Sequence, residues 1–256
     1  MVNKEQIPYP VLKALRGVKH PVTAVRKLVS KVGIPSLTWR ANLREEVRFW
    51  NAYLKTQGLE WHEDYLRRLD PGAPLQPHIT ELLPEGDASI LDVGAGPLTK
   101  LGKVVEGRRI EITAVDPLAD AYDKLLSKHN VTPPVRTTYG QAESLRDRFP
   151  ANHFDLVYAE NCIDHSFNPL KAFEQMVEVV KPGCYVFALH EINEGENEGY
   201  AGLHQWNFFT EHGEFLIGNR GGETVNVSEH LKGRAEVQCE VAARMLTVRM
   251  KRCSNT

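Results

Sequence analysis

Apolar positions along this chain follow two different periods, and the change between them divides it. From Asn42 the residues Leu43, Val47, Trp50 and Leu54 recur on one helical face until Gly58, and Trp61, Tyr65 and Leu66 predict another helical turn before Asp70-Pro71-Gly72. Ahead of them, residues 1 to about 35 mix basic residues, four prolines (Pro8, Pro10, Pro21, Pro35) and short apolar turns, which predicts short helices or an arm. Past Pro84-Glu85-Gly86, short apolar runs alternate with helical stripes. SILDV (89–93), IEITAV (110–115), PVRTTYG (134–140), FDLVYAE (154–160) and CYVFALH (184–190) read as strands. Leu98, Leu101, Val104 and Val105 predict a helix after the first strand, and Leu118, Ala121, Tyr122, Leu125 and Leu126 one after the second. Leu170, Phe173, Met176, Val177 and Val180 predict a third, ending at Lys181-Pro182-Gly183. Such alternation implies parallel strands joined by right-handed crossovers.

The last third loses this rhythm. Residues 191–213 are polar and glycine-rich around an aromatic knot, GLHQWNFF, and EFLIG and ETVNVS then flank Asn219-Arg220-Gly221-Gly222, a β-hairpin signature over 214–228. AEVQCEV and RMLTVRMKR close the chain as two more strand-like runs. The expected organisation is an N-terminal helical cap over 1–80 that does not fold alone, and an α/β domain over 81–256 carrying the hairpin as an insertion.

Composition narrows the class. With 42% hydrophobic and 25% charged residues over 256 positions the chain can bury a full core, and a net charge of −2 gives no general attraction to nucleic acid or anionic membrane. No apolar run approaches the roughly 20 residues that a membrane helix needs. Cys162, Cys184, Cys239 and Cys253 form no CxxC pair and no secretory-type apolar segment opens the chain, so a reduced, cytoplasmic setting is the expectation.

The chemistry centres on ILDVGAGPLTKLG (90–102). A strand followed by Gly94-Ala95-Gly96 lets a ligand approach the backbone, and Pro97 suits the first turn of a following helix. The dinucleotide pattern GxGxxG fails because Thr99 stands at its third glycine, and the P-loop pattern fails because no GK[ST] follows. A small carboxylate fits such a loop better than a pyrophosphate. Asp92 before the loop would accept an ammonium group, or serve only as a partner for loop amides. Asp116 ends the second strand, where open α/β sheets place a carboxylate that accepts hydrogen bonds from ribose hydroxyls. Amino acid plus ribose describes S-adenosylmethionine.

On ILDVGAG (90–96), AVDP (114–117), GQAESL (140–145), FDLVYAENCIDH (154–165) and LKAFEQMVEVVKPGCYVFALHE (170–191) the chain resembles the class I S-adenosylmethionine-dependent methyltransferases of small-molecule type. The resemblance covers about residues 88–192. It implies a Rossmann-like, seven-stranded, mostly parallel sheet whose last strand is antiparallel. It also implies a cofactor held by Asp92, Gly94, Ala95 and Gly96 at the methionine end, Asp116 and Pro117 at the ribose, Gln141, Ala142 and Glu143 near the adenine, and Glu160 and Asn161 beneath. Leu98 departs from the third glycine many members carry.

Methyl transfer from a sulfonium is an in-line displacement, and a hydroxyl acceptor also needs a base. The carboxyl ends of the strands single out His165 after the fourth strand and His190 and Glu191 after the fifth as catalytic candidates, with His204 and Trp206 as substrate contacts. No tight ligand spacing such as HExxH marks a metal site, so none is expected. The [DN]PP[YF] motif of nucleic-acid N-methyltransferases is replaced by Glu160-Asn161-Cys162-Ile163, which points away from base methylation and toward a small-molecule acceptor, oxygen before nitrogen. Two other readings stay open: a nicotinamide-dependent oxidoreductase, disfavoured by Thr99 and the lack of YxxxK, and a non-catalytic cofactor-binding module whose hairpin pairs two subunits into a homodimer.

Overall fold

The strand runs read from the sequence assemble into one sheet, ordered β3-β2-β1-β4-β5-β10-β9. The computed structural model describes residues 35–254, so the arm read in residues 1–34 lies outside the described residues. The parallel part comprises β1 (Ala88–Val93), β2 (Ile110–Asp116), β3 (Thr137–Tyr139), β4 (Phe154–Glu160) and β5 (Val180–Glu191). β10 (Met245–Arg252), the last strand in the chain, runs antiparallel between β5 and β9 (Ala235–Ala242). The fold class inferred from the resemblance is therefore the observed one.

Period-two burial explains the layering. Leu91, Val93, Val157, Ala159, Val186, Ala188, Leu246, Val248 and Met250 face one side, where α5 (Pro169–Val179) and a small second sheet cover them. Ile90, Leu156, Tyr158 and Phe187 face the other, beneath Leu75, Ile79 and Leu101. The second sheet, β6 (Trp206–Glu211), β7 (Glu214–Asn219) and β8 (Thr224–Asn226), contains the expected hairpin as β7-β8. The aromatic knot supplies its third strand, with Phe208 and Phe215 edge-on at 5.6 Å.

α1 (Pro35–Thr56) and α2 (His62–Leu69) form the cap. Tyr53, Leu54 and Tyr65 pack against Leu98 and against Tyr122, Leu125 and Leu126 of α4 (Ala119–His129). α3 (Pro77–Thr80) is a single turn before β1, α6 (Glu194–Asn197) follows β5, and α7 (Val227–His230) follows β8.

Two sequence expectations need correction. No helix follows the glycine loop: residues 97–105 are turns and a bridge pairing Val104 with Pro74. The backbone there bonds across the chain, Lys103 N to Ala73 O at 2.7 Å and Leu75 N to Val104 O at 2.9 Å. Arg67 and Gln76 donate to Lys100 O, and Arg68 to Leu98 O. Leu98 and Leu101, three apart as on a helix face, are drawn into different cores on either side of this segment. The other correction concerns α5, which stops at Val179, ahead of Lys181-Pro182-Gly183. Those three residues instead form an irregularity in β5, where pairing steps from Phe154–Val180 to Leu156–Tyr185 and Gly183 takes φ +78.

Candidate active site

The carboxyl ends of β1, β2, β4 and β5 open into a cavity of about 830 Å³, roofed by α1. That size is in the range of small-molecule sites. Asp92, Gly94, Ala95, Gly96, Asp116, Pro117, Ala142, Glu143, Glu160, Asn161, His165, Glu191 and His204 all line it. Topology thus gathers most of the residues singled out in the sequence. Gln141, His190 and Trp206 lie outside the lining. Trp206 instead donates from Nε1 to Ser166 O at 2.9 Å, tying β6 to the loop after β4.

The glycine loop is shaped by close approach. Gly94 has φ +72, and a Cβ there would sit 2.5 Å from Cys162 Cβ; Gly96 has φ +62, and its Cβ would sit 2.6 Å from the Trp50 indole. Its amides are engaged internally, Gly94 N with Val115 O at 2.8 Å and Gly96 N with the Asp116 carboxylate at 3.2 Å. With no helix behind it, the loop offers no helix N-terminus for a carboxylate. The cations at that end come from elsewhere: Arg68 of α2 lines the cavity, bonded to Asp64 Oδ2 at 2.6 Å, as does Lys100, paired with Glu160. Lys100 stands within ILDVGAGPLTKLG, whereas Arg68 stands in no sequence motif, because α2 reaches the loop only through the tertiary fold.

Asp92 accepts a short hydrogen bond from Thr99 Oγ1, and burial pushes its carboxyl up to about 7 against that bond. Asp116 accepts from Leu118 N at 2.8 Å as well as from Gly96 N, and burial pushes it too up to about 7. Each oxygen keeps a lone pair for a ligand donor. Both folded values exceed the unfolded carboxylate range near 4. The native state therefore holds protons that the unfolded chain has released, and this stabilisation, complete below about pH 4, is lost as pH rises through about 7. An ammonium or ribose donor needs the ionised forms. Affinity for S-adenosylhomocysteine is expected to rise about tenfold or more between pH 6 and 8 while the free protein loses thermal stability. Calorimetry and melting curves across that window check both, and a flat affinity profile would remove the two carboxyls from the ligand contacts.

Glu143 Oε1 accepts from Phe167 N and Asn168 N at 2.9 and 3.2 Å, so this carboxylate braces the start of α5 while facing the cavity. Asn161 takes φ +46, a left-handed conformation that Asn tolerates, and its Oδ1 accepts from Glu191 N at 3.0 Å. This fixes the ends of β4 and β5 to each other.

The opposite end holds a histidine cluster. Asp164, missed in the sequence reading, sits buried between three imidazoles: His204 Nδ1 at 3.0 Å, His165 Nε2 at 3.5 Å and His190 Nδ1 at 3.8 Å. Its burial opposes ionisation, yet the surrounding rings hold the carboxyl down at about 2. His190 is 1% exposed, stacks edge-on with Phe208 at 4.9 Å, and has neither ring nitrogen bonded. Burial pushes it down to about 4, so it is a neutral wall behind Asp164 and does not reach the acceptor side. The catalytic role expected of His190 is corrected on that ground. Glu191 pairs with Arg244 at 3.3 Å, and Glu194 of α6 comes within 3.9 Å of His204. From α1, Glu46 accepts from Trp50 Nε1 at 2.8 Å and lies 3.8 Å from His165 Nδ1.

The glycine loop and the strand-end carboxylates Asp92 and Asp116 lie within the stretch matched by the family model for the methyltransferase domain, residues 91–188, while the cavity also draws on α1, α2 and residues 191–204. Residues 91–188 form a class I S-adenosylmethionine-dependent methyltransferase domain. A methyltransferase from a complex with the Haloferax volcanii Trm112 methyltransferase activator shares the fold at TM-score 0.53 and 15% identity, covering 83% of this chain and 98% of that one. A Methanosarcina mazei S-adenosylmethionine-dependent methyltransferase is 21% identical over 70% of this chain and 99% of that one, at TM-score 0.43. No curated protein sequence matches. The matched stretch supports an S-adenosylmethionine-dependent methyltransferase over the nicotinamide-dependent oxidoreductase. Among the described residues of this methyltransferase, no helix is long and apolar enough to cross a membrane. The cavity fits the cofactor by its chemistry, with side chains excluded at Gly94 and Gly96, carboxyls at Asp92 and Asp116, and cations at Arg68 and Lys100.

Proposed function

We propose that the methyltransferase acts on the hydroxyl of a small molecule held between the cofactor and the His165–His204–Asp164 end of the cavity. The cofactor supplies an electrophilic methyl on a sulfonium. The supporting observation is that the two imidazoles lining the cavity among the described residues stand together at one end, beyond the glycine loop and beneath α1. A hydroxyl nucleophile needs a group there that takes or steers its proton, and imidazole does so near neutrality. Asp116 and Pro117 would hold the ribose side and Ala142 and Glu143 the adenine side, while Arg68 and Lys100 would hold the methionine carboxylate with Asp92 on its ammonium. Glu160 and Asn161 form the floor. Gly94 and Gly96 keep the backbone within reach.

Trp39, Leu43, Trp50 and Tyr53 of α1 supply an apolar roof that excludes water from the reacting centre. Acceptor entry then requires α1 to move or the acceptor to pass its edge, which makes the N-terminal cap a lid. The mixed lining favours a compact, partly apolar acceptor over a polymer. Soluble cytoplasmic action on a small molecule is part of the same reading, and the hairpin sheet remains a surface on which two copies would pair.

Incubation with methyl-labelled cofactor and a panel of small alcohols, phenols and amines tests the reading. Labelled ether products support it, whereas exclusive labelling of amines or of macromolecules contradicts it. His165→Ala is expected to lower turnover about 100-fold, within the usual range for an acid–base group, with S-adenosylhomocysteine affinity changed less than about threefold. Wild-type turnover would exclude His165 from proton handling.

A further inference from the structure

At the cavity's histidine end three potential ligand atoms form a close triangle. His165 Nε2 lies 3.2 Å from His204 Nδ1, His204 Nδ1 lies 3.0 Å from Asp164 Oδ2, and His165 Nε2 lies 3.5 Å from that same oxygen. A proton on His204 Nδ1 is directed at Asp164 Oδ2, with the His165 Nε2 lone pair on the same side of that N–H. Placing the proton on His165 Nε2 instead leaves the His204 lone pair facing a carboxylate oxygen at 3.0 Å. Three lone-pair-bearing atoms converge on one point.

We infer that this point is a site for a divalent first-row transition-metal ion, ligated by Asp164 Oδ2, His165 Nε2 and His204 Nδ1. Imidazole and carboxylate donors bind such ions at roughly 2.0–2.2 Å, so tetrahedral or octahedral angles put ligand atoms roughly 2.8–3.6 Å apart. The three observed edges fall inside that interval. Two imidazoles and one carboxylate on one side of an ion leave its other positions open, and here they open toward the cavity.

The surroundings supply what ligands of this kind require. Glu46 Oε2 stands 3.8 Å from His165 Nδ1, on the far side of that ring from the point. The buried Glu194 Oε2 has no partner, and the other oxygen of that carboxylate lies 3.9 Å from His204 Nδ1, so Glu194 stands ready as a further ligand. His190 also has no partner and sits 3.8 Å from Asp164 Oδ1, on the side away from the cavity. Along the sequence the set is invisible: Asp164 and His165 are adjacent, but His204 arrives from beyond α6 on the approach to β6.

The role, as distinct from the site's existence, rests on the proposed hydroxyl acceptor. A cation there would bind the acceptor oxygen and lower its pKa. The O–H bond then breaks with its proton passing to a lining carboxylate, Glu191 or Glu194, since the imidazoles are then ligands; the oxygen pair forms the bond to the methyl carbon, and the C–S bond breaks with its pair left on a neutral thioether.

The test is direct metal binding to the full chain after chelator treatment, using Zn²⁺, Mn²⁺ and Mg²⁺ separately, read by calorimetry and by metal analysis after gel filtration. One equivalent of Zn²⁺ is expected, with Mn²⁺ weaker, as the affinity order of N/O sites requires, and Mg²⁺ weakest, because imidazole suits it poorly. His204→Ala and His165→Ala should each weaken Zn²⁺ binding by about 100-fold or more, since even outer partners of a ligand cost roughly 10 to 100-fold. S-adenosylhomocysteine binding in the same samples reports folding and the cofactor site independently. Substoichiometric Zn²⁺, binding unchanged in both variants, or a preference for Mg²⁺ would overturn the site. Stoichiometric binding with no effect of metal on methylation of a hydroxyl acceptor would leave the site standing and overturn its role.

Discussion

Asp116→Ala is expected to weaken S-adenosylhomocysteine binding by at least about 100-fold. The carboxylate ends β2 in the cavity wall, and two hydrogen bonds from ribose hydroxyls to an ionised acceptor are together worth about 3 kcal/mol or more, at roughly 1.5–3 kcal/mol each. The same carboxylate ties down Gly96 N and Leu118 N, so its removal also frees the loop and the start of α4. Asp116→Asn keeps the shape and one acceptor oxygen but sets its NH2 against Gly96 N or Leu118 N, so it is expected to lose about tenfold or more in affinity together with a lowered melting temperature, less than Asp116→Ala in both. Calorimetry of both variants, with melting curves for each, checks the assignment. A folded Asp116→Ala protein that binds like the wild type would refute it.

The second large effect concerns stability and changes sign with the local structure. Were residues 97–105 helical, as their apolar spacing predicts, Gly102→Ala would stabilise the protein by up to about 1 kcal/mol. In the observed turn, a Cβ at Gly102 would overlap Pro74 O and lie 2.5 Å from Leu75 N, both backbone atoms. Neither can yield without breaking the contacts of Lys103 N with Ala73 O and Leu75 N with Val104 O. Gly102→Ala is therefore expected to cost about 3 kcal/mol or more, a magnitude reserved for severe steric or network damage. Denaturant melts measure it, and a neutral or stabilising result would refute the observed turn. Because this segment carries Lys100 to the cavity, cofactor affinity should fall with it.

The two outcomes bear on how the cofactor is gripped. A glycine loop running into a helix offers free amides and a dipole to a carboxylate. Here the loop amides are already engaged by Val115 and Asp116, and the cap supplies Arg68 in their place. Side chains of α1 and α2 thus line the same cavity as the glycine loop.

Sequence alone determined the strands, because a buried parallel strand is a short continuous apolar run, and ILDV, FDLV and YVFAL are unmistakable as such. It determined the ends of those strands, and with them Asp116, Asn161, His165 and Glu191, since the carboxyl edge of an open sheet is where side chains leave the core together. The hairpin was legible from its Asn-Arg-Gly-Gly turn. What tertiary structure decided was everything that depends on which surfaces meet. The helix pattern at Leu98 and Leu101 was overridden because two cores compete for those leucines and cross-chain bonds to residues 73–76 replace helical ones. His190, beside a strand end, turned inward against Phe208 by the alternation of β5. Asp164 and His204 became neighbours, and Arg68 and Glu46 reached the cavity, only through packing of segments far apart in the chain. Periodicity encodes which face of an element is apolar; it carries no information about which distant polar group that face brings to a given ligand.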